Sequence, residues 1–135
     1  MKSHVRVVVI GGGVVGCSVL YHLTKLGWTD LLLIERSELT SGSTWHAAGG
    51  FHTLNADTNM AALQGYTIRL YKELEEITGM SCGLHHVGGV TIATTRDRLD
   101  YLKAERAKHR YMGLDTEIVG PEEIQKLSPI TNVEG

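Results

Sequence analysis

The sequence predicts an α/β chain that opens with a parallel β-α-β unit. Three observations predict it. Val5–Ile10 is a β-branched run suited to a strand buried on both faces. Val14–Leu26 reads as a helix with Val15, Val19, His22 and Leu26 near one face, and Gly27 supplies a stop signal. Leu31–Glu35 (Leu-Leu-Leu-Ile-Glu) is a second buried strand. A strand, a helix and a strand within about 30 residues form a β-α-β unit with an expected right-handed crossover.

The remaining elements follow in order. Ser37 to Leu54 lacks periodicity, is rich in Ser, Thr and Gly, and reads as a functional loop with room for one helical turn. Asp57 or Thr58 caps the next helix. Its stripe is Met60, Leu63, Leu70, Leu74 and Ile77, flanked by Tyr66 and Tyr71, and is expected to be core. Gly79 ends it. Cys82–His86 and Gly89–Thr94 read as two short strands around a tight turn. Arg96–Met112 is a surface helix with a broad charged face. Thr116–Val119 is a further strand. Pro121 stands at a first helical position, with Glu122 and Glu123 at the positive end of the dipole, and Pro129 stops that helix after Leu127. Only one parallel crossover is clear, and Asn132–Gly135 look cut in mid-structure. The expectation is therefore a piece of a larger protein.

Composition narrows the function classes. The 135 residues are 42% hydrophobic, which is globular, and carry a net charge of −2 with a pI near 6.4. No nucleic-acid partner is expected from that balance. Val5–Ile10 is too short to span a bilayer and lacks a signal-peptide layout, so no membrane role is expected. Cys17 and Cys82 have no metal spacing, and the chain reads as intracellular and reduced. His85 and His86 are adjacent on an expected strand, point to opposite faces and lack a third ligand. Cys17 is expected to pack as a small buried side chain and His22 to be structural. His52 is a weak candidate for lining an active site. Sixteen glycines exceed the usual share, and they cluster at Gly11–Gly16, Gly42–Gly50 and Gly88–Gly89, as backbone approached closely by another group does.

The first cluster, Gly11-Gly12-Gly13-Val14-Val15-Gly16, satisfies Gly-x-Gly-x-x-Gly between a strand and a helix. Gly11 permits the tight turn. Gly13 admits a pyrophosphate to the backbone. Gly16 lets the helix pack against the strand. The helix start, through Val14 and Val15, offers N–H groups to phosphate. Glu35 ends the second strand about 20 residues on, where a carboxylate accepts hydrogen bonds from a ribose diol and opposes a 2′-phosphate. Arg36 either flanks an adenine or is a solvated surface residue. These residues define a dinucleotide site without choosing FAD or NAD.

The next segment bears on that choice. Ser41-Gly42-Ser43-Thr44-Trp45-His46-Ala47-Ala48-Gly49, continuing to Gly50, resembles the loop of the dimethylglycine and sarcosine dehydrogenases, amine-oxidising flavoproteins with a D-amino-acid-oxidase-like fold. Val8–Gly13, Tyr21–Leu23, Glu38–Thr40, Leu74–Gly79 and Ala93–Arg96 fit the same family, so the resemblance covers essentially the whole chain. It implies that residues 1–80 are the first segment of a Rossmann-like FAD-binding domain. Residues 81–135 then begin a mixed α+β substrate domain. It implies FAD bound through Gly11, Gly13, Val14, Val15, Gly16, Glu35, Arg36 and Gly42–Gly50, with a covalent bond from His46 to the flavin 8α-methyl carbon. Ser43 and Thr44 bond phosphate or cap a turn, two roles that can coexist; Trp45 either packs beside the cofactor or fills core.

The resemblance further implies oxidation of an N-methyl amine of the dimethylglycine or sarcosine type, by hydride transfer to flavin N5. The electron acceptor is a protein or oxygen, and tetrahydrofolate traps the one-carbon unit in relatives with a C-terminal folate region. Acid and base residues for the substrate are expected further along the family's chain. The location expected is cytoplasmic, or the mitochondrial matrix if a transit peptide was removed. Two alternatives stand beside this: a non-catalytic regulatory protein keeping the flavoprotein fold, and another FAD-dependent amino-acid or amine oxidase.

Overall fold

A computed structural model describes residues 4–134 of the chain, which group into two compact units, one ending at Gly50 and one starting at Phe51. In the first unit, β1 (Val7–Ile10) and β2 (Leu31–Ile34) pair in parallel, with Val7 opposite Leu31 and Ile10 opposite Ile34. Helix α1 (Val14–Lys25) joins them and packs on both. The sequence-expected β-α-β unit is therefore present. At its end, Leu26 N–H donates to His22 O at 3.0 Å, and Gly27 takes a φ of +84° that favours glycine.

One expectation about this unit is corrected. The strands are covered on one face only. Val7, Val9, Leu31 and Leu33 are half-buried, while Val8, Ile10, Leu32 and Ile34 are exposed, Ile10 at 85%. One crossover helix can cover one side of a two-stranded sheet, and period-two alternation sends every second side chain to the other side. The covered side of α1 is likewise different from the stripe expected. Val15, Val19 and Leu26 are exposed, whereas Gly16, Leu20 and Leu23 are half-buried. Cys17 is half-buried rather than buried.

The second unit contains α2 (Thr58–Thr78), α3 (Arg96–Tyr111) and α4 (Pro121–Leu127). Asp57 caps α2, its carboxylate accepting from Met60 N–H at 2.8 Å, and Gly79 closes it in the left-handed region at φ +66°. Thr95 caps α3 by accepting from Arg98 N–H at 3.2 Å. Asp97 in its first turn and Lys108, His109 and Arg110 in its last complement the dipole. Pro121 opens α4 as the sequence indicated. No helix among the described residues is long and apolar enough to cross a membrane.

Two expectations fail here. Cys82–His86, Gly89–Thr94 and Thr116–Val119 form no strands among the described residues. An extended segment becomes a strand only when another backbone segment pairs with it, and among the described residues side chains take such groups instead: Glu75 accepts from Cys82 N–H at 2.6 Å and Arg106 Nε donates to Thr116 O at 2.9 Å. The α2 stripe is also incomplete as core. Leu70 and Ala61 are buried, but Met60, Leu63 and Ile77 are exposed. Helical periodicity marks the side that wants cover, and this unit covers only its middle.

Candidate functional site

The parallel register sets the exits of β1 and β2 side by side, and the glycine turn grows from that junction. Gly11 N–H donates to Ile34 O at 2.8 Å, holding the turn to the end of β2. Gly11 has a φ of +105°, a conformation only glycine adopts without strain. Gly16 sits on α1 directly over it. A Cβ at position 16 would run into the Gly11 carbonyl oxygen, so the close packing of helix and turn requires glycine there.

Gly12 is the hub of the turn. It is buried, and both its polar groups are used. Its N–H donates to Glu35 Oε2 at 2.6 Å. Its carbonyl accepts from Thr40 N–H at 2.9 Å and from the Cys17 thiol at 3.4 Å. A Cβ at Gly12 would lie 2.5 Å from Leu39 Cδ2 and 3.1 Å from Glu35 Cβ. The fingerprint treats this position as free, and sequence reasoning missed it. The signal was available as three successive glycines where the pattern asks for only two of them.

Glu35 gathers three amides. Beyond Gly12, its Oε1 accepts from Arg36 N–H at 2.7 Å and from Ser37 N–H at 3.0 Å. These donors, Gly12 foremost and then Ser37, hold its carboxyl below the ordinary carboxylate range against a partial desolvation penalty. The Arg36 bond and the nearby Arg36 charge act in the same direction. The carboxylate therefore stays ionised at neutral pH and still has acceptor capacity for a hydroxyl.

At the start of α1, Gly13 is the N-cap residue and Cys17 N–H already donates to Gly13 O at 3.0 Å. Val14 N–H donates to Thr44 Oγ1 at 3.0 Å. The amides of Val15 and Gly16 have no protein acceptor among the described residues. Two free N–H groups at the positive end of a helix, beside a turn without side chains, suit a diphosphate. The residues present thus fit the dinucleotide that the fingerprint implies.

The loop from Thr40 to Ala47 folds into consecutive tight turns. Trp45 N–H donates to Thr40 O at 3.0 Å, His46 N–H to Ser43 O at 3.2 Å and Ala47 N–H to Thr44 O at 3.3 Å. Thr40 lies at φ +65°, a region sparsely used by side chains larger than glycine. His46 Nδ1 lies 3.0 Å from Gly42 O. A carbonyl can only accept, so Nδ1 is the donor in this contact.

The structure thus brings Gly11, Gly13, Val14, Val15, Gly16, Glu35 and Thr44 together around one helix start. Thr44 caps that start in this arrangement. Gly42, Ser43, Trp45, Ala47, Ala48, Gly49 and Gly50 are exposed, with no bond to the glycine turn among the described residues. Trp45, 78% exposed, fills no core within its unit. The Arg36 side chain is at the surface, and His52, His85 and His86 are exposed in the other unit. His22 Nδ1 lies 2.7 Å from Ser18 O.

A family model described as FAD dependent oxidoreductase matches residues 6–135. The chain is 41% identical over 133 residues to dimethylglycine dehydrogenase, mitochondrial, of Rattus norvegicus, covering 98% of this chain and 16% of that protein. It is 42% identical over 135 residues to sarcosine dehydrogenase, mitochondrial, of Homo sapiens, covering 99% and 15%. It is 36% identical over 133 residues to the pyruvate dehydrogenase phosphatase regulatory subunit, mitochondrial, of Mus musculus, covering 98% and 15%. The chain thus spans about one sixth of the length of these relatives. Among solved structures, L-proline dehydrogenase from P. horikoshii superposes with a TM-score of 0.87 at 24% identity, over 98% of this chain and 35% of that one. That likeness shows the fold.

Proposed function

Because the chain belongs to the FAD-dependent oxidoreductase family, we propose that it is the ADP-binding part of a longer flavoenzyme that oxidises an N-methyl amine of the dimethylglycine or sarcosine type. The observation that carries this reading is the His46 loop bonded to the dinucleotide turn, in a chain similar over its whole length to two such dehydrogenases. Residues 1–80 are assigned to the cofactor domain and 81–135 to the start of the substrate domain. Bound FAD supplies a two-electron acceptor for hydride from the N-methyl carbon. The amides at the start of α1 bind the diphosphate, and Glu35 orders the turn while accepting from the ribose. His46 offers Nε2, the ring nitrogen not engaged by Gly42 O, for covalent attachment. The relatives' names, both of which carry the word mitochondrial, favour a mitochondrial location over the cytoplasm. Electrons pass to a protein acceptor or to oxygen, and the one-carbon unit either leaves as formaldehyde or, where a folate region is present, is trapped by tetrahydrofolate.

The similarity to a phosphatase regulatory subunit favours one second reading, a flavoprotein fold kept without catalysis. His46 separates the two, since a non-catalytic relative has no use for an attached cofactor. The test is acid precipitation of the full-length protein. Flavin is expected in the pellet, on a peptide containing His46, and His46→Ala is expected to release it. Covalent flavin persisting in His46→Ala refutes the assignment. Bleaching of the flavin by dimethylglycine or sarcosine under anaerobic conditions identifies the substrate, and bleaching by neither refutes the dimethylglycine or sarcosine reading.

A further inference from the structure

We propose that Thr44 is a positioning residue that sets where His46 stands for its attachment to the flavin. The proposal rests on the covalent reading above.

Two bonds hang the histidine loop on the dinucleotide turn. One is backbone to backbone, Thr40 N–H to Gly12 O at 2.9 Å, and lies at the start of the loop. The other is the Thr44 hydroxyl, which accepts from Val14 N–H at 3.0 Å in the middle of the loop. Thr44 is also the only half-buried residue of Ser41–Gly50; every neighbour is exposed. A Cβ on Gly13 would come within 3.0 Å of its Oγ1, so the hydroxyl is seated tightly against the turn.

From Thr44, the path to the imidazole is short and bonded. Ser43 O accepts from His46 N–H, Thr44 O from Ala47 N–H, and Gly42 O from the imidazole Nδ1–H. Residues 42–47 are therefore tied into one small turn. Without the Thr44 bond, that turn hangs from Thr40 alone and can swing about it. A nucleophile displaced by about 1 Å loses much of its rate, so a pin two residues away has a measurable effect.

The attachment itself balances with oxygen as oxidant. Nε2 bonds the 8α-methyl carbon, that carbon gives up one proton and Nδ1 the other. Dioxygen takes both protons and two electrons and leaves as hydrogen peroxide.

The test loads full-length apoprotein with increasing FAD in air and follows acid-stable flavin over time. At saturating FAD, affinity drops out and the limiting rate reports positioning. Thr44→Val keeps the shape and loses the acceptor; its limiting rate should fall roughly fivefold or more, the worth of a neutral hydrogen bond. Thr44→Ser keeps the hydroxyl and should stay close to wild type. Thr44→Ala, which adds no bulk, serves if the valine variant fails to fold, and should be slow as well. The proposal is overturned if the valine or alanine variant reaches the wild-type limiting rate, needing only more FAD to do so. It is also overturned if Thr44→Ser is as slow as they are, since the hydroxyl would then not matter. A wild type without acid-stable flavin, or His46→Ala retaining it, removes the covalent reading and this proposal with it.

Discussion

Gly16→Ala tests the packing of α1 on the glycine turn with one carbon atom. The new Cβ meets the Gly11 carbonyl oxygen, which is backbone and cannot rotate away as a side chain does. Gly11 cannot yield easily either, because its N–H is bonded to Ile34 O and its φ of +105° is already specialised. Overpacking of a filled site costs about 1–3 kcal/mol, and an obstacle of backbone puts this case at the upper end, about 3 kcal/mol. Alanine recovers up to about 1 kcal/mol over glycine inside a helix. The net expectation is a loss of about 2 kcal/mol, roughly a thirtyfold fall in the ratio of folded to unfolded protein. The assay is equilibrium urea unfolding of the full-length apoprotein, read as a shift in midpoint at unchanged slope. Gly42→Ala is the control, since a Cβ there meets nothing within 4 Å and its φ is not in the left-handed region; it should stay within about 0.5 kcal/mol of wild type. If Gly16→Ala unfolds at or above the wild-type midpoint, helix propensity outweighs the clash, and the argument from close packing is wrong.

Two further predictions follow from the same geometry. Glu35→Gln keeps the shape but replaces one acceptor oxygen by a donor, so either the Gly12 amide or the pair from Arg36 and Ser37 loses its partner. The folded-state pKa of Glu35 lies below its unfolded value, so its stabilisation is complete above the unfolded pKa and is lost as pH falls through the folded one. The variant should therefore unfold earlier than wild type at pH 7, with the difference closing in acid; a gap that is constant with pH would refute the role given to the carboxylate. Asp57→Ala removes the cap on α2 and should cost about 1 kcal/mol in urea unfolding, with Asp57→Asn restoring most of it. An alanine variant as stable as wild type would show that the Met60 N–H bond is dispensable.

The features legible in the sequence are those that local chemistry decides. The β-α-β unit, the caps at Asp57 and Gly79 and the proline start of α4 all follow from residue type and period. Glu35 was legible as an acid at the end of β2, but not as the acceptor of the Gly12 amide, because that bond needs the parallel register of Ile10 with Ile34. Gly12 was missed for the same reason; its neighbours Leu39, Thr40 and Glu35 are remote in sequence. The Thr44 hydroxyl as acceptor for Val14 N–H was not legible either, because that donor lies thirty residues back along the chain. The expected strands at Cys82–His86 and Gly89–Thr94 show the opposite limit. Their residue types favour extension, yet a strand is a property of two segments, and composition names only one.

The paired strands also act as a ruler. Gly12 and Glu35 meet because the chain between them returns with Val7 opposite Leu31 and Ile10 opposite Ile34. An insertion or deletion of one residue that shifted the β2 pairing would turn its side chains to the other face. A shift of two would preserve the faces and still carry the carboxylate roughly 6.6 Å along the sheet, out of reach of the glycine amide. Substitutions on the outer side of α1 leave this spacing untouched. Length between the glycine turn and the acidic residue therefore carries information that composition does not, and a lineage drifting in this segment should exchange residues far more freely than it gains or loses them.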